Sequence, residues 1–161
     1  MRIVMKESTK TRTGISVVKT EGRIETFNVL GNKIHSVESL YYQHGILTHR
    51  WFGEVVDEEI KEILGGHFVD AFVESRCSKI LADLSRWSVS WDGVNDWLRD
   101  ELMPRLEEAG LRRLAVFVKG DPTTENDASR LAMQRFENEN QNINASFFSE
   151  QKAMEWLKAN D

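Results

Sequence analysis

The sequence predicts a single α/β domain, in which a mixed β-sheet is backed by about four helices and preceded by an extra β-rich segment. Two short, nearly continuous apolar runs, residues 80–84 and 114–118, are typical of strands buried on both faces of a parallel sheet. Helical patterns alternate with these strands along the chain. With 161 residues, of which 40% are hydrophobic, the chain is long enough for one continuous core.

The first 34 residues are polar and favour β-structure. Two alternating runs, residues 14–19 and 23–29, are separated by Thr20-Glu21-Gly22, which is typical of a hairpin turn. This segment is either a hairpin that extends the sheet or an arm exchanged between the subunits of a homodimer. We therefore divide the chain into an N-terminal hairpin or arm, 1–34, and the main domain, 35–161.

The main domain begins with a second hairpin. Residues 37–42 and 46–52 are predicted strands, and Gln43-His44-Gly45 is the predicted turn between them. A helix follows, with Asp57 as its cap and apolar residues at helical spacing as far as Phe72. Gly65-Gly66 lies in the middle of this helix and indicates a kink or a close approach to another helix.

Three more helices are predicted. The first of them spans residues 92–109 and is bent at Pro104, and the second spans residues 125–138. A final strand, residues 144–148, leads into a closing helix for which Ser149 is the N-cap.

Composition disfavours several classes of function. The formal net charge of −5 repels phosphate backbones and anionic headgroups, so we expect no nucleic-acid partner and no strong membrane contact. No secretory signal or membrane-spanning run is visible, which favours a cytoplasmic protein. The one cysteine, Cys77, excludes an intrachain disulfide.

The sequence also lacks the motifs of common enzymes. It contains no Gly-x-Ser-x-Gly elbow and no phosphate-binding glycine loop of Walker spacing. The four histidines are interpreted as structural, because none shows helical metal-ligand spacing. We therefore predict no catalytic residue, no cofactor and no metal.

The best functional indication is a predicted cleft where two central strands end. The segment 85–92 and the loop 119–124 both follow such strands, and ligands of open α/β sheets bind at this edge. Clustered tryptophans suit an apolar pocket or a protein contact there, although they equally suit a cap on the end of the core. The predicted ligand-binding residues are Trp87, Trp91, Asp92, Arg86, Ser90 and Lys119.

Several local motifs occur in an order that resembles a known family. They are Trp51-Phe52-Gly53, Ile80-Leu81-Ala82-Asp83-Leu84, Asp96-Trp97-Leu98 through Met103-Pro104, Gly110-Leu111-Arg112-Arg113-Leu114-Ala115-Val116 and Phe147-Phe148-Ser149. Together they resemble the SpoIIAA-like branch of the STAS-type domains, which are bacterial sulfate-transporter and anti-sigma-factor-antagonist domains. The resemblance covers about three quarters of the chain.

The resemblance implies a mixed sheet backed by helices and a binding role without catalysis. In antagonist-type members a serine after the central strand is phosphorylated, and its phosphate switches partner binding. The matching position here is Asp92 or Trp91, depending on how the turn is aligned, so the serine switch is not expected. Asp92 is interpreted as a helix N-cap.

Two functions follow as expectations. The first is a non-enzymatic module that holds a small apolar or amphipathic ligand in the strand-end cleft, with Arg86 and Lys119 as polar anchors. The second is a protein-interaction regulator of the anti-sigma-factor-antagonist type that lacks the phosphorylatable serine.

Overall fold

A single mixed sheet runs through the described part of the chain. The computed structural model describes residues 5–7, 12–87, 93–118 and 143–159, with only the backbone described for residues 5–7 and for Trp87. Within these ranges the sheet has eight strands, which lie side by side in the order of the sequence. They are β1 (Met5–Glu7), β2 (Ser16–Thr20), β3 (Arg23–Phe27), β4 (Lys33–Glu38), β5 (Ile46–Gly53), β6 (Lys79–Trp87), β7 (Arg113–Phe117) and β8 (Asn144–Phe147).

The sheet divides into an antiparallel half and a parallel half. Strands β1 to β5 pair antiparallel, whereas β5, β6, β7 and β8 pair parallel. The parallel pairing of β6 and β7 confirms the prediction made from their apolar runs. Ile80, Leu81 and Ala115 are completely buried, as strands covered on both faces require.

The predicted N-terminal hairpin is present as β2 and β3. Its turn contains Gly22, which has a φ of +78° that glycine adopts without steric cost. Because β3 pairs with β4, this hairpin extends the same sheet as the main domain within one chain.

Helices cover the two faces of the sheet unequally. On one face lie α1 (Asp57–Ile63), α2 (Val69–Ser75), α3 (Asn95–Trp97) and α4 (Met103–Glu108). Their apolar residues form the larger core with Leu47, Ile80 and Val116. On the opposite face α5 (Glu150–Lys158) packs on Ile46 and Leu81 in a smaller core. We call this second face the α5 face.

Each of the two long helical segments on the first face contains a wide, π-helical turn. Leu64–Phe68 joins α1 to α2, and Leu98–Leu102 joins α3 to α4. Gly66 leaves helical geometry in the first turn, and the carbonyl of Gly65 accepts a hydrogen bond from Arg105 at 3.2 Å. The predicted kink and the predicted close approach at Gly65-Gly66 are both confirmed.

Two predicted strands have different boundaries in the structure. The central strand predicted over residues 80–84 runs from Lys79 to Trp87, so Ser85, Arg86 and Trp87 belong to β6 and not to the predicted turn 85–92. The fourth strand is Lys33–Glu38 instead of residues 37–42, and Tyr42–His44 forms a 3₁₀ turn that ends at Gly45 with a φ of +72°. Aromatic residues favour strands, but Tyr41 packs against the smaller core from this connection. Pairing of His35 with Trp51 fixes the register of β4 instead.

The helix boundaries follow the predictions with small shifts. The predicted helix 92–109 is observed over residues 95–108, with Pro104 in the first turn of α4. The cap of α1 is Val56, not Asp57, and its N–H donates to the Glu59 carboxylate at 3.0 Å. Ser149 caps α5 as predicted, because its hydroxyl accepts from the N–H of Lys152. The predicted helix 125–138 lies outside the described residues.

No helix in the described part of the chain combines the length and apolar character that crossing a bilayer requires.

Candidate functional site

A polar cleft lies on the α5 face, near the ends of the parallel strands. Its volume is about 480 Å³, within the range of roughly 300–1,000 Å³ that is usual for small-molecule sites. The lining residues come from the five strands β3 to β7 and from the first turn of α5. They are Arg23, Lys33, Glu38, Arg50, Phe52, Asp83, Ser85, Arg86, Phe117 and Glu150.

Strand register places the charged side chains of the cleft next to one another. Arg50 of β5 is paired with Asp83 of β6, which in turn is paired with Phe117 of β7. Side chains at paired positions of neighbouring strands lie on the same face of a sheet. The row therefore brings a cation, a carboxylate and an aromatic ring onto the α5 face.

Arg50 forms the centre of the cleft floor. Its Nε donates to Glu38 Oε2 at 3.1 Å, and its Nη1 donates to Asp83 Oδ2 at 2.6 Å and to Glu150 Oε1 at 2.9 Å. Burial alone lowers the pKa of the guanidinium, but the hydrogen bonds to Glu150 and Asp83 outweigh this effect and raise it. Arg50 is therefore a permanently charged structural residue that holds three carboxylates.

The second oxygen of Asp83 is also occupied. Asp83 Oδ1 accepts from the Ser85 N–H at 2.8 Å and from the Ser85 hydroxyl at 2.6 Å. This local bond fixes the end of β6 where it enters the cleft. No histidine is among the described residues that line the cleft, so Ser85 has no histidine base beside it there.

The rim of the cleft is basic. Arg23, Lys33 and Arg86 are exposed, and the structure records no ion pair between a described carboxylate and the guanidinium of Arg23 or Arg86. Lys33 Nζ lies 3.4 Å from Glu25 Oε2. The Phe52 ring lies between two of these cations, with Lys33 Nζ at 4.6 Å and Arg86 Cζ at 5.8 Å from its centroid.

Of the site residues predicted from sequence, the structure places Arg86 in this cleft. Trp87 ends β6 directly beside it, and only its backbone is described. The other four, Ser90, Trp91, Asp92 and Lys119, lie outside the described residues. The proposed anchoring by Lys119 and the role of the tryptophans therefore stay predictions.

Sequence reasoning missed most of the residues that line the cleft. Arg50 and Asp83 carried a usable signal, because each is a charged residue inside a strand whose neighbours are buried. Arg23, Lys33 and Glu150 carried none, since charged residues at hairpin ends and in first helical turns are ordinary.

Histidines form a separate cluster on the opposite face of the sheet. His35 and His49 are buried, and His35 Nε2 lies 3.0 Å from His49 Nδ1. Burial lowers the pKa of His49 to about 3. Burial also lowers the pKa of His35, and the neighbouring His49 and His67 lower it further. His67 contacts the Thr26 hydroxyl at 3.0 Å. Both buried rings are therefore neutral at pH 7 and form part of the core.

The described ranges hold no metal-ligating cluster, and beside the histidines they contain a small apolar space. Within them no group of three or more His, Cys, Asp and Glu residues could hold a metal ion. A small apolar space lies between His49 and the two π-helical turns, with a volume of about 30 Å³. That volume holds about one or two water molecules, so an organic ligand requires the helices to move.

A comparison of the chain with protein-family models and with curated proteins finds no match.

Proposed function

We propose that the protein is a non-enzymatic binding module that holds a small amphipathic ligand in the cleft at the ends of its parallel strands. The observation that carries this proposal is the cleft of about 480 Å³, in which Phe52 and Phe117 lie among seven charged side chains. A site of mixed character suits a ligand with one apolar and one polar part. A wholly apolar ligand, which the sequence also allowed, fits this lining less well.

The floor of the cleft presents carboxylates that are held in place by other residues. The cleft carboxylates are all bound to Arg50, and Asp83 is in addition bound by Ser85. Carboxylates fixed in this way present further acceptor sites to the donor groups of a ligand. The floor is better suited to orienting a ligand than to transferring a proton.

The proposal is tested by native mass spectrometry of the protein purified from its expression host, together with calorimetric titration of amphiphiles. We expect a bound small molecule or a titration response that is lost in Phe52→Ala, because this ring lies between the two rim cations. Phe148→Ala is the matched control, since Phe148 is exposed and is not part of the lining. An intact protein that carries no molecule and responds to no amphiphile would refute the proposal.

Relationship to the SpoIIAA-like, STAS-type fold is a further part of the proposal. It is supported by the order of the main domain, in which a hairpin of β4 and β5 precedes alternating helices and parallel strands and a closing helix. An experimental structure that superposes poorly on STAS domains would contradict the relationship.

A second candidate function is protein interaction of the anti-sigma-factor-antagonist type. It is favoured by the turn between β3 and β4, which exposes 72% of Val29 and 81% of Leu30. The Asn28 side chain accepts from the N–H groups of Leu30 and Asn32, both at 3.0 Å, and so holds this apolar tip in one conformation. Binding of an isolated regulatory partner that survives Leu30→Ser would exclude this tip as the docking point.

A further inference from the structure

The cleft separates its charges into an acidic floor and a basic rim. On the floor, three carboxylates share the single cation Arg50, which leaves an excess of negative charge. On the rim, three cations are accompanied by one described carboxylate, that of Glu25, which lies beside Lys33. The protein as a whole carries a net charge of −5, so this local basic excess is opposite in sign to the rest of the molecule.

We propose that the rim formed by Arg23, Lys33 and Arg86 binds the anionic group of an organic phosphate or carboxylate, whose apolar part lies against Phe52. This inference rests on the proposed function, because it names the chemical class of the ligand in that same cleft. An anion at the rim relieves the mutual repulsion of the three cations and accepts charge-assisted hydrogen bonds from them.

The position of Phe52 supports an amphipathic anion over a simple inorganic ion. Lys33 and Arg86 both lie within 5.8 Å of the centre of this ring, so their charged ends and the ring belong to one surface. Phe52 is paired with Arg86 across β5 and β6, and this backbone pairing holds the two side chains together. A ligand that uses both must carry an anionic group and an apolar group close to each other.

Arg50 does not provide the anion site. All its hydrogen-bonded contacts on the floor are to carboxylates, and any anion that approached it would be repelled by Glu38, Asp83 and Glu150. The floor therefore rejects the anionic group and directs it to the rim. Hydroxyl or amine donors of the ligand suit the floor instead, because carboxylate oxygens accept hydrogen bonds.

The same anionic chemistry occurs in free metabolites and in lipid headgroups. We infer a free molecule, because the net charge of −5 opposes approach to an anionic bilayer.

The test compares hexyl phosphate with hexanol, hexylamine and inorganic phosphate by isothermal titration calorimetry on the whole chain. We expect hexyl phosphate to bind more tightly than each of the other three. Arg86→Gln and Arg23→Gln should each lower the affinity for hexyl phosphate about threefold, because each removes one exposed charge. The double variant should lower it about tenfold. Arg112→Gln, at an exposed arginine outside the cleft, should leave the affinity unchanged.

The outcomes separate this inference from the proposed function. If the alcohol binds as tightly as the phosphate, the anion site is refuted while the binding cleft stands. If hexyl phosphate binds the double variant as tightly as it binds the unchanged protein, the rim cations are refuted as its site. If no amphiphile of any charge binds, the proposed function fails as well. If the protein sediments with phosphatidylglycerol vesicles but does not bind hexyl phosphate, the free-ligand inference is wrong.

Discussion

Arg50 is the residue on which the floor of the cleft depends. Its guanidinium satisfies three carboxylates that come from β4, β6 and α5, and its side chain is only 18% exposed. Without this cation, Glu38, Asp83 and Glu150 would repel one another in a partly buried space. Removal of one member of such a network costs more than the loss of an exposed ion pair.

The first prediction concerns this network. Arg50→Met keeps an unbranched apolar stem, although a shorter one, and removes the charge, and we expect the free energy of unfolding to fall by about 2 kcal/mol. Urea denaturation followed by circular dichroism measures the change. Arg112→Met is the matched control and should shift the midpoint little, since Arg112 is exposed. Equal midpoints for the two variants would show that the network contributes nothing to stability.

The second prediction concerns His49, which has a pKa of about 3 in the folded protein because its ring is buried. The imidazole should therefore stay neutral as the pH is lowered from 7 to 4. Two-dimensional NMR of the ring nitrogens measures this directly. A His49 ring that takes up a proton near pH 6 in the folded protein would contradict the packing described for the core.

At the scale of elements, the loop before α3 lies close to the start of α1. A methyl group added at Gly93 would overlap the carboxylate of Asp57 and lie 2.7 Å from its Cγ. Since Asp57 lies in the first turn of α1, its movement disturbs the point where two helical segments meet. A side chain at position 93 therefore forces the Asp57 carboxylate out of its present place.

The third prediction follows from this contact. Gly93→Ala should lower the free energy of unfolding by about 1–2 kcal/mol, and most of this loss should disappear in the presence of Asp57→Ala. A double-mutant cycle by chemical denaturation measures the coupling. Additive effects of the two substitutions would mean that the two residues do not touch.

The sequence predicted best those elements whose burial leaves a simple pattern. Strands β6 and β7 were found because burial on both faces requires apolar runs. The boundaries of β4 were predicted wrongly, because the strand propensity of Tyr41 and Tyr42 was outweighed by the pairing of His35 with Trp51. Propensity does not report such a pairing.

The candidate site was predictable in position but not in chemistry. The rule that ligands bind at the ends of parallel strands indicates the sheet edge where this cleft lies, and one residue predicted there, Arg86, lines it. The loop 119–124, the other predicted wall, lies outside the described residues. The floor was not predictable, because Arg50 and Glu150 are 100 residues apart in the sequence and meet only once α5 is packed. Arg50 and Asp83 each carried a signal as charged residues inside buried strands, but nothing in the sequence linked either of them to Glu150.

For the whole molecule, the buried histidine pair makes stability depend on pH. The pKa values of His35 and His49 are lowered by burial, so below about pH 6.5 the unfolded chain binds protons that the folded chain does not, and for His49 this window extends down to about pH 3. The stability from the neutral pair is therefore fully present above about pH 6.5 and is lost as the pH falls through this window.

The fourth prediction is the slope of that loss. Each of the two histidines should contribute up to about 1.4 kcal/mol per pH unit to the decrease in the free energy of unfolding. His49→Phe, which keeps an aromatic ring beside Phe68, should reduce the slope measured by urea denaturation between pH 6 and pH 4. An unchanged slope would assign the acid sensitivity to other groups.

The central claim is that the strand-end cleft on the α5 face binds an amphipathic anion, and NMR titration with hexyl phosphate tests it most directly. We predict that amide signals of residues 50–53 and 83–86 shift with the added ligand, because these segments carry the cleft floor and rim. Signals of the helices on the opposite face, such as residues 69–75, should stay in place. Saturable shifts confined to that helical face, or no shifts at all, would contradict the claim.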